Sequence, residues 1–363
     1  SSLAVLPQTS TMMPISAKVA PAARQGWALL LLGLLLGHVL TLFRIFIMTD
    51  TRSGWIASGL GDCPHRPRPR MELFVPVFTA PGEKHFALRQ GVRRTWRFPE
   101  EAAYRFVLCE DSKEGVPSDE LSNYFDILFV SCTEGYSRGL LTKKLVATMR
   151  AALRDFPADW IFKVDDDAFP KLDNLLEALR AHRRHQPDAH VYGGSFYQGN
   201  SRVVRELSSK FYEPEDVYGA AVYPRTAMGG AGYALDMDLV RLFMAPGFVD
   251  EHLLWNEDRA VAVWVQRAQA LGVQVDFVEW KAVDGYMWSN VCVQAAQDLG
   301  IHWAWPFWRT IQVWRTNDHV SIHNVSDAQM RCLASPPSLW SADSCGCGAW
   351  ATGYDGYDTV IVS

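Results

Sequence analysis

The chain has 363 residues, 48% of them hydrophobic and 21% charged, with a formal net charge of -5. That composition supplies a core for one large globular domain plus extra segments and excludes a disordered chain, while the acidic balance gives nucleic acid no electrostatic footing. Seven cysteines with no Cys-x-x-Cys pair fit a disulfide-permitting compartment rather than a structural zinc site, and the odd count leaves at least one unpaired or bridging to another chain.

The first predicted element is a membrane span at 27–48. It opens Trp27-Ala-Leu-Leu-Leu-Leu-Gly-Leu-Leu-Leu-Gly37 and runs on to Met48, interrupted by His38 and Arg44. About 20 apolar residues cross a bilayer as a helix. Lys18 and Arg24 precede the run with no acidic residue before it, which points to a cytosolic tail at 1–26 and a single-pass type II anchor. A cleaved signal peptide is the alternative, for which the apolar run is long. Residues 49–70, with His65-Arg-Pro-Arg-Pro-Arg70, read as a stem.

From Met71 the pattern becomes that of a folded domain, expected to span 71–334. Glu72-Leu-Phe-Val-Pro-Val-Phe-Thr79 predicts a strand, broken by Pro81-Gly82, and Lys84 to Trp96 a helix. Further strands are predicted at Tyr104–Cys109, Asp126–Ser131, Trp160–Val164, His190–Gly194 and Val273–Val278. Helical spacing marks Leu140–Leu153, the leucines 172, 175, 176 and 179, and Glu257–Leu271. Such alternation predicts an α/β sheet with crossover connections, whose ligands bind beyond the carboxyl ends of the strands. Between these elements, Tyr218 to Tyr233 is rich in glycine and aromatics, and 335–363 reads as a low-complexity tail. Asn324-Val325-Ser326 is the one glycosylation sequon.

At the end of one predicted strand stand three carboxylates, Asp165-Asp166-Asp167. Side chains alternate along a strand, so Asp165 and Asp167 face one way and Asp166 the other. Adjacent carboxylates need a partner, a proton or a cation, and this geometry suits Mn²⁺ or Mg²⁺ with positions open for phosphate. A helix cap or a solvated turn explains a bare run of aspartates equally well.

Four segments, taken in order, resemble the β-1,3-glycosyltransferases of glycosyltransferase family 31. The first is Ala80-Pro-Gly82 with Arg89-Gln-Gly-Val-Arg93-Arg-Thr95-Trp96. The second is Tyr124-Phe-Asp126-Ile127-Leu128 with Glu134-Gly-Tyr136 and Thr142-Lys143-Lys144, where Ser137 to Leu141 departs from the family pattern. The third is Lys163-Val-Asp165-Asp166-Asp167-Ala-Phe169. The fourth is Tyr223-Pro224, Gly229-Gly230-Ala231-Gly232-Tyr233-Ala-Leu235 and Glu257-Asp258. Ser321-Ile322-His323-Asn324 is a late fifth match. Together they cover about 71–331.

The resemblance implies a GT-A fold, a Rossmann-like nucleotide-sugar-binding domain with a mixed sheet. It implies a Golgi membrane enzyme with its catalytic domain in the lumen. The implied reaction is inverting, metal-dependent transfer of galactose from a UDP-sugar to a hydroxyl, the 3-OH, of a glycan acceptor on protein or lipid. A UDP-N-acetylglucosamine-specific transferase and a non-catalytic, chaperone-like relative are the alternatives. By position in the motifs, Asp167, Asp165 and His323 are metal ligands, Asp258 the base and Glu257 its neighbour. Asp166, Lys163, Arg89, Arg93, Gly230 and Gly232 belong to donor binding. Arg89, Arg93 and Lys163 could equally be structural ion pairs, and Asn324 is the glycosylation site.

Overall fold

Strand β1 (Leu73–Phe78) is buried at all its positions, the mark of a strand covered on both faces. Its side chains feed two cores in alternation, Leu73, Val75 and Val77 on one face and Phe74 and Phe78 on the other. Helix α1 (Glu83–Thr95) leads to β2 (Ala102–Cys109), and a short helix α2 (Ser118–Asn123) to β3 (Ile127–Val130). Helix α3 (Leu140–Asp155) then returns the chain to β4 (Trp160–Asp165). These four strands lie parallel, in the order β3-β2-β1-β4.

The second half departs from a simple crossover sheet. It comprises β5 (Phe169–Pro170), α4 (Leu172–His185), β6 (His190–Gly194), β7 (Tyr233–Asp236), α5 (Met237–Phe243), α6 (Glu257–Ala270), β8 (Val275–Glu279), β9 (Lys281–Asp284), β10 (His319–His323) and α7 (Asp327–Ala334). Strand β7 runs antiparallel between β4 and β6, so the 7-stranded sheet β3-β2-β1-β4-β7-β6-β8 is mixed. The glycine-rich approach to β7 hides it from sequence reading, since glycine disfavours strands. A second, 3-stranded sheet, β5-β10-β9, was also not legible, because β5 is only 2 residues long.

The computed structural model describes residues 71–197, 201–250, 252–284 and 319–335. The predicted span 27–48, the cytosolic tail, the stem and the tail beyond 335 lie outside them, and no described helix is long and apolar enough to cross a membrane. One face of the large sheet is covered by α1, α4 and α7, through Leu88, Val92, Leu172, Leu175, Leu176, Leu179 and Met330. The other is covered by α3, α5 and α6, through Leu145, Met149, Leu239, Phe243, Val261 and Trp264. Cys109 and Cys132 form a disulfide that ties the end of β2 to the loop after β3, and Cys332 is disulfide-bonded as well.

Candidate active site

The three aspartates leave β4 in a tight turn, closed by the Ala168 amide on the Asp165 carbonyl at 3.2 Å and tied to β1 by the Asp166 amide on the Phe78 carbonyl at 2.9 Å. Their side chains part as the alternation predicted, although the strand ends at Asp165 and the turn over Asp166 and Asp167 does the parting. Asp166 turns into the protein, where it accepts from Thr79 Oγ1 at 2.5 Å and pairs with His85 Nδ1 at 2.8 Å. Burial pushes its pKa up. Asp165 and Asp167 face the other way and, with His323, offer ligand atoms all within 4.8 Å of one another.

His323 arrives from more than 150 residues downstream through the small sheet. Ile322 pairs with Phe169 in register, and the Val325 amide donates to the Asp167 carbonyl at 2.7 Å. The imidazole lies against Gly230, where a Cβ would fall 2.1 Å from His323 Nε2. No side chain fits there, so Gly230 is required by the histidine.

Lys163, on β4 and 1% exposed, joins this cluster to a second one. Its Nζ lies 2.7 Å from Asp165 Oδ1 and 3.3 Å from Glu257 Oε2, and donates to the Gly229 carbonyl at 3.3 Å. Burial opposes its charge, but the two carboxylates outweigh burial and keep it protonated. Glu257 and Asp258 open α6, where carboxylates are favoured by the helix N-terminus. Glu257 also accepts from the Tyr233 hydroxyl. Asp258 accepts from the amides of Arg259, at 2.9 Å, and Gly229. Burial raises the pKa of both, partly offset by Lys163 for Glu257 and by Arg259 and Lys163 for Asp258. Asp165, Lys163, Gly229, Gly230, Glu257, Asp258, His323 and Asn324 line one cleft.

Other expected site residues are not brought to that cleft. Arg89 is fully buried, with Nε and Nη2 on Glu120 at 2.8 and 2.6 Å and Nη1 on Thr79 and the Ala80 carbonyl. Arg93 holds Asp126 through two bonds of 2.8 Å and Glu120 at 2.7 Å, and stacks on Tyr124. The first two motifs therefore hold each other through an ion-pair network, the structural alternative that the sequence left open for both arginines. Asp166, at 3% exposure, pairs with Thr79 and His85 and does not line the cleft. Gly232, at φ 98°, packs against Phe162, with a Cβ falling 2.3 Å from Cζ. Asn324 does not stand out on the surface as a sequon would. It lines the cleft beside His323, and Ser326 of the same sequon caps α7.

Several cleft residues went unassigned in the sequence. Tyr136, Tyr197, Phe211 and Trp255 give the cleft an aromatic rim, with Tyr136 and Phe211 well exposed. Glu213, at 0% exposure, accepts from the amides of Trp255 and Asn256 at 2.8 and 3.2 Å, from Asn256 Nδ2 at 2.8 Å and from the Tyr223 hydroxyl at 3.3 Å. It anchors the start of α6 from a loop 42 and 43 positions earlier, a pairing without a local signal. Only Tyr136 carried one, as part of a matched motif.

The donor set fits a hard divalent ion. Two carboxylates and an imidazole suit Mn²⁺ or Mg²⁺. Asp167 Oδ1 is buried without a hydrogen-bond partner, although His323 Nε2 stands 3.3 Å away. A buried carboxylate oxygen in that state calls for a cation.

Residues 87–276, more than half of the chain, match the family described as galactosyltransferase. The chain belongs to the galactosyltransferase family. This bears out the resemblance to glycosyltransferase family 31. Its relatives include hydroxyproline O-galactosyltransferase GALT2 of Arabidopsis thaliana, 25% identical over 63% of this chain and 32% of that protein. GALT6 of the same plant is 28% identical over 59% of this chain and 31% of that one. Beta-1,3-galactosyltransferase 1 of Mus musculus is 26% identical over 53% of this chain and 60% of that one. The chain thus spans about a third of the plant relatives' length. Among solved structures, it is similar to the 4-diphosphocytidyl-2C-methyl-D-erythritol synthase of Anaerococcus prevotii, with 15% identity and a TM-score of 0.32 over 57% of this chain and 86% of that one. Overlap at that level is loose.

Proposed function

We propose that this family member is an inverting, metal-dependent hexosyltransferase of GT-A type. In this reading it moves galactose from UDP-galactose to the 3-OH of a glycan acceptor on protein or lipid. It acts in the Golgi lumen from a single-pass type II anchor at 27–48. The observation that carries the reading is one cleft lined by Asp165 and His323, whose ligand atoms cluster with those of Asp167, and by Glu257 and Asp258.

Asp165, Asp167 and His323 would hold the Mn²⁺ or Mg²⁺ ion, which when bound stabilises the charge growing on the diphosphate leaving group. Asp258 takes the proton from the acceptor hydroxyl. That oxygen bonds to the sugar's anomeric carbon as the bond to the diphosphate breaks, and the electron pair leaves with UDP. Burial raises the proton affinity of Asp258, which suits a general base. Glu257, fixed by Lys163 and Tyr233, is held rigidly enough to orient sugar hydroxyls. Lys163 keeps the two carboxylate clusters from repelling each other.

The test is a donor screen with the full chain in detergent, with and without Mn²⁺, against a panel of glycan acceptors. Mn²⁺-dependent release of UDP from UDP-galactose, lost in Asp258→Asn, is expected. Preference for UDP-N-acetylglucosamine would correct the donor. No transfer by folded protein from any donor would overturn the reading in favour of a non-catalytic relative.

A further inference from the structure

The sequon asparagine lines the cleft, where its amide has a different use from carrying a glycan. Asn324 lies in the left-handed region at φ 60°, which turns its side chain back onto the preceding residue. Its Nδ2 stands 3.1 Å from His323 Nδ1. The opposite ring nitrogen, Nε2, faces Asp167 Oδ1 at 3.3 Å and the backbone at Gly230. The whole ring is thus defined from both sides, by the amide on one and by the aspartate and glycine on the other.

We propose that Asn324 is a positioning residue for His323, setting which ring nitrogen carries the proton, and that its sequon is not glycosylated in the active protein. The proposal rests on the reading of Asp165, Asp167 and His323 as a metal site. A neutral imidazole has one N–H and one lone pair. The Asn324 amide stands 3.1 Å from Nδ1, within hydrogen-bonding reach of whichever tautomer the ring adopts. An imidazole that binds an ion through Nε2 needs its lone pair there and its proton on Nδ1. Turning the Asn324 amide over presents Oδ1 to that N–H. An amide carries donor and acceptor on one rotor, so the same side chain serves both states of the ring. This is the outer-shell contact that fixes a ligating histidine, and losing one typically weakens ion binding about 10- to 100-fold.

The same geometry sets the sequon against the site. The nitrogen to which a glycan would be joined is the one that touches the imidazole, and Asn324 lines the cleft beside Asp165 and Gly230. A sugar there would project into the cleft beside Asp165 and His323. Val325 is 1% exposed and the Ser326 side chain accepts from the Gln329 amide at 3.3 Å, so the remaining sequon residues are also committed to the fold.

The experiment measures Mn²⁺ affinity of the full chain in detergent, from the electron paramagnetic resonance signal of free Mn²⁺ during titration with MnCl₂. The protein comes from a glycosylating host and its mass is checked before and after glycosidase treatment. Asn324→Gly removes the amide without backbone strain, since glycine accepts φ 60°. Asn324→Asp keeps an oxygen that can accept from Nδ1. The expected result is a wild-type mass unchanged by glycosidase, affinity reduced about 10- to 100-fold in Asn324→Gly, and affinity close to wild type in Asn324→Asp. Unchanged affinity in Asn324→Gly overturns the positioning role while leaving the metal reading intact. A glycan on Asn324 in Mn²⁺-binding molecules overturns the sequon claim. A wild-type chain that binds no Mn²⁺ removes the metal reading itself, and the proposal falls with it.

Discussion

Glu213 is the residue whose removal should most clearly separate scaffold from chemistry. Its carboxylate accepts from two backbone amides, Trp255 and Asn256, one amide side chain and one phenol. In Glu213→Ala the Asn256 side chain and the Tyr223 hydroxyl can turn towards other partners. The two backbone amides are fixed by the start of α6 and cannot. An unsatisfied buried donor costs about 1–3 kcal/mol. Trp255 and Asn256 are half-buried, which places each amide near the lower end of that range. Losing a negative charge at a helix N-terminus adds about 0.3–1 kcal/mol. The sum is about 3 kcal/mol, a large share of the roughly 5–15 kcal/mol that holds a domain together. Glu213→Gln keeps one accepting oxygen and should lose about half of that. Urea unfolding gives the total, and hydrogen exchange over 255–262 gives its location. Because Glu257 and Asp258 follow directly, kcat should fall more than donor KM rises. A loss below about 1 kcal/mol in Glu213→Ala, with unchanged exchange at the start of α6, would refute this account.

Three further outcomes are expected. A base works only when deprotonated, and burial raises the Asp258 pKa, so activity should disappear as pH falls through a value above the ordinary aspartate range. An acid limb of kcat/KM near or below about pH 4 would contradict it. Gly230→Ala drives a methyl into His323 and should abolish Mn²⁺ dependence in folded protein, whereas Gly232→Ala drives one into Phe162 and should chiefly lower the melting temperature. Paired Mn²⁺ titrations and thermal scans of the two variants check the division. Arg89→Ala leaves Glu120 with one of its two guanidinium partners and should destabilise by about 3–5 kcal/mol, the range for a broken buried pair. Donor KM in the folded fraction should hardly move, and a selective rise in it would restore Arg89 to donor binding.

The local elements were legible because their signals are local. Buried leucines at helical spacing gave α4, and a continuous apolar run gave β1. The acidic run at the end of β4 was legible as a cluster, but the strand ends at Asp165, and it is the turn, tied to Phe78 and Thr79, that parts Asp166 from its neighbours. Motif matches identified the family because ordered short segments are local too.

Tertiary structure alone decided which of the matched residues meet. Arg89 and Arg93 carried the same cue as Lys163, a positive charge in a family motif. Only the packing of α1 against Glu120 and Asp126 commits the two arginines to the scaffold, while Lys163 bridges the two acidic clusters. Glu213 carried no signal at all, and Asn324 was legible only as a glycosylation signal. Their contacts with α6 and His323 depend on chain segments brought together by the folded sheets, and the spacing of residues along a sequence carries no record of such encounters.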